Sequence, residues 1–310
     1  MRERIELPGV ITISSTDGLA WRKRKLTKQG IIYVVLIPTI AYFLLFFYYP
    51  FVTNMVWMFT DYNFLDRPRF IGMDNIIRLF HDVYAWRALR NTFVITVLST
   101  PITLCISLLL ALAVFYLKMG KAIVRGAIFA TYIVSTIVAA VTFKVWFNGE
   151  LGYVNNVLAS IGLKQIPWLT DPFWAMTAIV IVSVWLLIGY FMVIFLAGIS
   201  GIDSQQLEAG KIDGANTWQL FFRITLPQLK PIIVFASIIA ISNYLKTYPS
   251  VVILTNGGPY RSTETILMYM FDQGFMSRNV GYASVIGIVI FLITMIIALL
   301  QLKLTKFFSE

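Results

Sequence analysis

Charged residues are scarce in this chain. Only 13% of its 310 residues are Asp, Glu, Lys or Arg, whereas 58% are hydrophobic and the mean hydropathy is +0.78. A soluble protein of this length needs far more charge on the surface that faces water. The composition therefore excludes a soluble globular domain and predicts a polytopic membrane protein.

Cysteine and histidine are nearly absent as well. The single cysteine, Cys105, lies in an apolar run, which excludes a disulfide within the chain and a metal cluster built on thiolates. The single histidine, His81, stands beside Asp82 in a polar loop, where an ordinary surface residue is the favoured interpretation over a metal ligand. We therefore predict neither a catalytic nor a metal site.

Six apolar runs are long enough to be membrane helices, because a helix needs roughly 20 apolar residues to cross the hydrocarbon layer. The first is too long for the core of a signal peptide and no small-residue cleavage site follows it, so we expect it to remain as an anchor. These runs predict an all-α fold of six transmembrane helices at residues 31–49, 92–117, 127–147, 173–199, 231–253 and 281–302.

The distribution of Lys and Arg gives the expected orientation. With the N-terminus inside, the interior segments carry most of the basic residues, and the exterior segments carry similar numbers of both signs. The net charge of +10 is then a signal of topology and not of a nucleic-acid partner, although a basic N-terminal arm can touch anionic lipid headgroups. We expect a cytoplasmic arm at 1–30, a transmembrane domain at 31–306 and both termini in the cytoplasm.

The polar loop at 201–231, between two apolar runs, has the start and stop signals of two helices. Asp203 followed by Gln206 indicates a helix through about Ile212, which Asp213-Gly214 ends. A second helix is expected to start near Asn216 or Thr217 and to run to Leu226, where Pro227 and Pro231 would end it. Trp218, Phe221 and Phe222 lie along this second helix. Their aromatic rings suit either the membrane interface or a docking surface for a partner.

The spacing within this loop resembles a known signature. Glu208-Ala209-Gly210, three residues, Gly214, nine residues and Ile224-Thr225-Leu226-Pro227 are similar to the EAA motif of permease subunits of binding-protein-dependent ABC importers. The segments Ile212 to Ala215 and Thr255 to Pro259 resemble the carbohydrate branch of that family, which includes maltose-type and glycerol-phosphate-type permeases. Gly210 departs from the usual Ala and is expected to loosen the helix by up to about 1 kcal/mol.

The resemblance implies a type I importer in the bacterial cytoplasmic membrane. Its expected partners are a second, different permease subunit, two ATP-binding cassette subunits, an extracytoplasmic solute-binding protein and a carbohydrate. ATP and Mg would be held by the ATPase subunits and no cofactor by this chain. Its Gly210-Lys211 is followed by Ile212 where a P-loop requires Ser or Thr. The residues implied in ATPase coupling are Glu208, Ala209, Gly210, Asp213, Gly214, Ala215, Ile224, Leu226 and Pro227.

Polar and aromatic residues within the predicted spans are candidates for the substrate path, since sugars are bound by hydrogen bonds and by stacking on rings. A lysine at membrane depth costs roughly 2.5–3.5 kcal/mol, so it either snorkels to the interface or lines a cavity. If both candidate lysines face the cavity, an acidic or heavily hydroxylated sugar is favoured over a neutral disaccharide. The candidates are Tyr190, Trp185, Asn243, Tyr244, Lys246 and Lys144.

Two other classes of function remain as alternatives. A self-sufficient secondary transporter or channel would be expected to show inverted repeats or carboxylates within its spans, but the acidic residues all fall in predicted loops or termini. A membrane-anchored enzyme would need a catalytic cluster, and the sequence offers neither a Cys-His pair nor a His-rich metal spacing. The sequence therefore favours the permease.

Overall fold

A computed structural model describes residues 33–34 and 36–307, so the predicted arm at 1–30 lies outside the described residues. The chain divides into two compact units, Met1–Val56 and Trp57–Glu310. The described part of the first unit contains all but the last residue of helix α1, Leu36–Trp57, which includes a π-helical turn at Leu44–Tyr48. Four aromatic rings pack along this helix, at Tyr42, Phe43, Phe46 and Phe47.

The regular secondary structure in the described part of the second unit is helical, apart from one antiparallel bridge between Thr60 and Phe70. Two π-helical turns occur in this unit. One lies within α9, at Phe221–Thr225, and the other follows α11, at Asp272–Met276. Its helices are α2 Asp74–His81, α3 Val83–Tyr116, α4 Lys121–Ile133, α5 Thr136–Trp146, α6 Tyr153–Ser160, α7 Pro172–Ser200, α8 Ser204–Ile212, α9 Thr217–Tyr244, α10 Pro249–Thr255, α11 Ile266–Phe271 and α12 Val280–Phe307.

Five described helices, α1, α3, α7, α9 and α12, are long and apolar enough to cross a membrane, and α4 with α5 forms a bent sixth candidate. This confirms the predicted fold class. The expected third span is not a straight helix, because its halves meet at 94°. The fifth span also differs from the prediction of 231–253: α9 starts at Thr217 and ends at Tyr244, and α10 continues after a break.

Helices α3 and α7 form the central pair of the second unit. The buried side of α3 carries small or hydroxylated residues at helical spacing, which lets the two backbones approach closely. Ser107 Oγ donates a hydrogen bond across this contact to the carbonyl oxygen of Ile188, at 2.9 Å. The side chains of this buried face are Ala85, Ala88, Thr92, Ile95, Thr96, Ser99, Thr100, Thr103, Ser107, Ala111 and Val114.

Tyr244 ties a third helix to this pair. Its side chain is only 2% exposed, and its hydroxyl lies 2.6 Å from Thr103 Oγ1 on α3 and 3.4 Å from the carbonyl oxygen of Ser183 on α7. A buried hydroxyl needs such partners, because losing them in an apolar interior costs about 1–3 kcal/mol. Tyr244 therefore fixes the end of α9 against both central helices.

A second polar contact joins the far ends of the helices. Asp82 caps α3 by accepting hydrogen bonds from the amides of Tyr84 and Ala85, and its other oxygen accepts from the hydroxyls of Tyr269 and Tyr282, at 2.6 and 2.5 Å. Burial pushes the pKa of Asp82 upward, but these hydrogen bonds outweigh it and leave the pKa below its ordinary value. The carboxylate thus stays charged and clamps α11 and α12 to α3.

Gly189 on α7 generates a prediction about the bent span. A Cβ there would lie 2.3 Å from the carbonyl oxygen of Ile128 and 2.9 Å from Cα of Phe129, both in the backbone of α4. We expect Gly189→Ala to force the helices apart and to lower stability by about 1–3 kcal/mol, the usual range for overpacking. The measurement is the thermal unfolding midpoint of the purified protein in detergent.

Gly126→Ala is the matched control, because a Cβ at that position on α4 meets nothing within 4 Å and alanine favours the helix. Its unfolding midpoint should stay the same or rise. Equal midpoints for both variants would contradict the close crossing.

Candidate functional site

The EAA loop, residues 201–231, begins with helix α8. Asp203 caps this helix by accepting a hydrogen bond from the amide of Gln205 at 2.9 Å, which confirms the predicted start and the predicted end at Ile212. Gln206 does not complete the expected capping pair. Its Oε1 instead accepts a hydrogen bond from Gln228 Nε2 at 2.6 Å, so it links α8 to α9.

A reversal of the chain follows α8, as Asp213-Gly214 predicts. Gly214 has φ +81°, a left-handed conformation that glycine adopts without the strain that a side chain would add. The next amide, of Ala215, donates to the carbonyl oxygen of Gly210 at 3.0 Å and so satisfies a carbonyl group left free at the helix end. The chain therefore leaves α8 as a tight hairpin.

Helix α9 begins with a reciprocal capping box. The amide of Gln219 donates to Asn216 Oδ1 at 2.9 Å, and the amide of Asn216 donates to Gln219 Oε1 at 2.8 Å. The predicted start is confirmed, but the predicted end at Leu226 is wrong. Proline lacks an amide hydrogen, and the wider turn at Phe221–Thr225 precedes Pro227 without ending the helix.

Gly210 lies where the two arms of the hairpin meet. A Cβ there would approach Leu220 Cδ2 to 2.7 Å and Ile224 Cδ1 to 2.9 Å, so the glycine lets α8 pack closely on α9. From the sequence alone, Gly210 is one of the implied coupling residues and a source of looseness in α8. The structure shows that it also serves a close contact, which the spacing of the motif does not reveal.

Large apolar side chains project from this hairpin into the surroundings. Ile212 is 86% exposed and Trp218 is 73% exposed, and the rings of Trp218 and Phe222 stack with centroids 6.1 Å apart. Glu208, Ala209, Asp213, Gly214 and Pro227 are also exposed, whereas Gly210, Ala215, Ile224 and Leu226 are half-buried. The predicted coupling residues thus divide into an outer set and a set that packs within the hairpin.

A cavity of about 150 Å³ lies where two helices are broken. Thr136, at the start of α5, comes from the bend in the third span, and residues 245–248 form the break between α9 and α10. Irregular backbone at membrane depth is tolerated where it lines a cavity or is buried in protein. Ser183 also lines the cavity, and its buried hydroxyl has no hydrogen-bond partner within the described part of the chain.

The cavity brings together three of the six candidate path residues, Asn243, Tyr244 and Lys246. Lys246 lies in the turn after α9 and also lines a neighbouring cavity of about 670 Å³. The other three candidates are not among the lining residues of the smaller cavity. The ring of Tyr190 packs at a tilt against Tyr132 with centroids 4.8 Å apart, and the ring of Trp185 meets Phe143 edge-on with centroids 5.3 Å apart. Lys144 lies in the last turn of α5.

Sequence reasoning missed the other polar or aromatic lining residues, which are Thr136, Ser183, Thr247, Tyr248 and Ser250. Two signals in the sequence could have revealed breaks within the spans, because residues that cap or start helices mark such breaks. They are Ser135-Thr136 in the third apolar run and Tyr248-Pro249 in the fifth. Ser183 has no such signal, since hydroxyl groups are common on packed transmembrane helices.

Comparisons with known proteins agree with this architecture. Residues 85–308 match the family described as "Binding-protein-dependent transport system inner membrane component". The chain is 34% identical to the lactose transport system permease protein LacF of Rhizobium radiobacter over 93% of this chain and 97% of that protein. It is 31% identical to the diacetylchitobiose uptake system permease protein NgcF of Streptomyces coelicolor, over 90% and 84%.

A solved structure has the same fold. The protein is a bacterial ABC transporter involved in the import of the acidic polysaccharide alginate, and a chain of it matches with a TM-score of 0.83, 25% identity, and coverage of 93% of this chain and 99% of that chain. These matches confirm the resemblance carried by the EAA motif. The chain therefore belongs to the family of multi-pass inner-membrane permease subunits of binding-protein-dependent ABC transport systems, in the branch whose named relatives carry saccharides.

Proposed function

We propose that this chain lines the translocation path of an ATP-driven importer for a sugar or oligosaccharide, and that separate ATPase subunits drive it through the EAA loop. The observation that carries the proposal is the hairpin of α8 and α9, which exposes Trp218 and Phe222 while α9 continues without a break from Thr217 to Tyr244. A force applied to the hairpin thus acts directly on a membrane span. Family membership favours this function over a self-sufficient transporter or channel.

The mechanism is a shift between two states of the importer. ATP binding closes the ATPase subunits, and the docked hairpin moves α9, whose far end is held by Tyr244 against α3 and α7. The break at residues 245–248 follows immediately, so movement of α9 changes the wall of the cavity. Docking contributes to transport only if the ATPase subunits bind the two states with different affinity.

The remaining partners follow from the family and from charge. An extracytoplasmic solute-binding protein delivers the saccharide, and a second permease subunit, different from this chain, completes the path. ATP and Mg are held by the two ATPase subunits and not by this chain, which is itself not an enzyme. In the bacterial membrane the EAA loop and both termini face the cytoplasm. This orientation places most of the Lys and Arg residues on the cytoplasmic side.

The substrate is a saccharide, and the cavity favours one that bears negative charge. Lys246 supplies a cation between the two cavities, and α5 begins at the smaller cavity, so the positive end of its dipole faces the site. The side chains of Asn243 and Tyr248 line the same cavity and retain accessible surface, so they can form hydrogen bonds with the hydroxyl groups of a sugar. The family includes both kinds of cargo, since LacF is named for lactose and the alginate importer for an acidic polysaccharide.

Removal of the Trp218 ring tests the docking surface. We expect Trp218→Ala to weaken attachment of the ATPase subunits by about 2 kcal/mol, roughly 30-fold, because a large exposed ring is the type of side chain that dominates interface energy. The measurement is co-purification of the ATPase subunits with the tagged permease, together with ATP-driven uptake in vesicles.

Phe173→Ala is the matched control, because this exposed aromatic residue lies at the opposite end of α7 from the EAA loop. Attachment should be unchanged in that variant. If Trp218→Ala retained the ATPase subunits at the wild-type level and altered only partitioning into lipid, the hairpin would be an interfacial anchor and the docking proposal would fail.

Neutralising Lys246 tests the preference for an acidic saccharide. We expect Lys246→Met to lower uptake of a uronic-acid oligosaccharide about tenfold, because a charge-assisted hydrogen bond contributes about 1.5–3 kcal/mol, and to leave uptake of its neutral counterpart within about twofold. Uptake is measured in vesicles with a binding protein that delivers each sugar. Lys246→Arg should retain most of the activity.

Lys144→Met separates the two lysines that the sequence leaves equivalent. Because Lys144 is not among the residues lining the smaller cavity, its replacement should leave uptake of both sugars unchanged. Unchanged uptake of the acidic sugar by Lys246→Met would remove the charge preference from the proposal.

A further inference from the structure

A separate cavity of about 380 Å³ lies where α3 ends, α4 begins and α7 ends. Its lining includes Lys121 and Arg125 on α4, Phe115 on α3, and Val193, Leu196 and Ser200 on α7. Because Ser200 leads directly into the EAA loop, the cavity lies on the same side of the membrane as that loop. It also lies at the ends of membrane-spanning helices, which is the depth of the lipid headgroups.

The described lining of this cavity carries two positive charges. Lys121 and Arg125 are four residues apart, so they share one face of α4, and like charges at this spacing destabilise a helix. Within residues 33–34 and 36–307, no acidic residue lines the cavity and neither side chain forms an ion pair. Lys121 Nζ donates to the carbonyl oxygen of Phe115 at 2.7 Å, which leaves its other N–H groups available. An anion between the two cations would relieve their repulsion.

The opposite wall of the cavity is apolar. Val193 and Leu196 lie about one turn apart on α7, beside the ring of Phe115. A small hydrated anion gains nothing from such a wall, whereas an amphipathic anion places its headgroup at the cations and its hydrocarbon chain along α7. The general tendency of basic residues to remain on the cytoplasmic side of a membrane does not explain why two of them line a cavity. Lys118 follows the same tendency and does not line this cavity.

We propose that this cavity binds an anionic phospholipid of the cytoplasmic leaflet, with the phosphate held by Lys121 and Arg125. Basic pockets between transmembrane helices on the cytoplasmic side suit such headgroups. The inference rests on the proposed function for the orientation, because the EAA loop defines which side is cytoplasmic. The lipid would hold the ends of α3, α4 and α7 together beside the segment that carries the ATPase subunits.

The test uses the assembled importer, purified with its partner subunits from vesicles containing phosphatidylglycerol and phosphatidylcholine. Native mass spectrometry measures the lipids that remain bound. We expect the wild type to be enriched in phosphatidylglycerol over the bulk membrane, and the double variant Lys121→Gln, Arg125→Gln to reduce that enrichment at least about fivefold. Lys118→Gln, the matched control, should keep it. If the double variant does not assemble, Arg125→Gln alone serves, with a smaller loss expected.

Several outcomes would overturn the site. They are equal enrichment in the wild type and the double variant, an equal loss in Lys118→Gln, or no enrichment in the wild-type complex because a partner subunit covers the cavity. The phosphate held at the site could come from a phospholipid headgroup or from free inorganic phosphate. Adding inorganic phosphate, with chloride at equal ionic strength as the control, distinguishes these two sources. If it displaces phosphatidylglycerol, the site binds an anion without regard to a hydrocarbon chain.

Uptake of saccharide is measured in the same vesicles before purification. Active wild-type importer without lipid enrichment rejects the lipid site alone. Enrichment in a wild-type complex that transports nothing rejects the proposed function alone.

Discussion

The requirement that backbone polar groups find partners inside a bilayer governs this structure. Intact helices meet it by themselves, and broken helices meet it where protein or a cavity surrounds the break. The bend between α4 and α5 and the break between α9 and α10 meet at one cavity, which also contains the buried hydroxyl of Ser183. The irregular part of the fold and the candidate substrate site are therefore in the same place, as is typical of transporters that use discontinuous helices.

Helix α9 connects that place to the EAA loop. The Asn216 capping box sets its start, Gly210 allows α8 to lie close to it, and Tyr244 holds its end against α3 and α7. Each of these contacts fixes a different part of the same helix. Because specific contacts hold α9 at both ends, the helix of this membrane span continues from Tyr244 back to Thr217 within the polar EAA loop.

Much of this architecture could be predicted from the sequence, because span length, helix caps and the EAA spacing are local signals. Asp203, Gly214 and Asn216 act where the sequence places them. The failures involve contacts between distant segments. Nothing near Pro227 reveals that a wide turn carries the helix past it, and apolar content alone does not show that the third span bends. For the same reason Lys144 and Lys246 are equivalent in the sequence and differ in the structure.

The wide turn at Phe221–Thr225 also preserves the rotational phase of α9. Successive residues of an α-helix are separated by about 100° around the axis, and a π-turn holds one residue more than an α-turn. The extra residue is taken up within this one turn, so the Trp218 face keeps nearly the same direction relative to the buried face of the span as in a regular helix one residue shorter. A deletion inside the wide turn would therefore leave the direction of the hairpin unchanged, whereas a deletion in the regular winding after Leu226 would rotate the hairpin by about 100°.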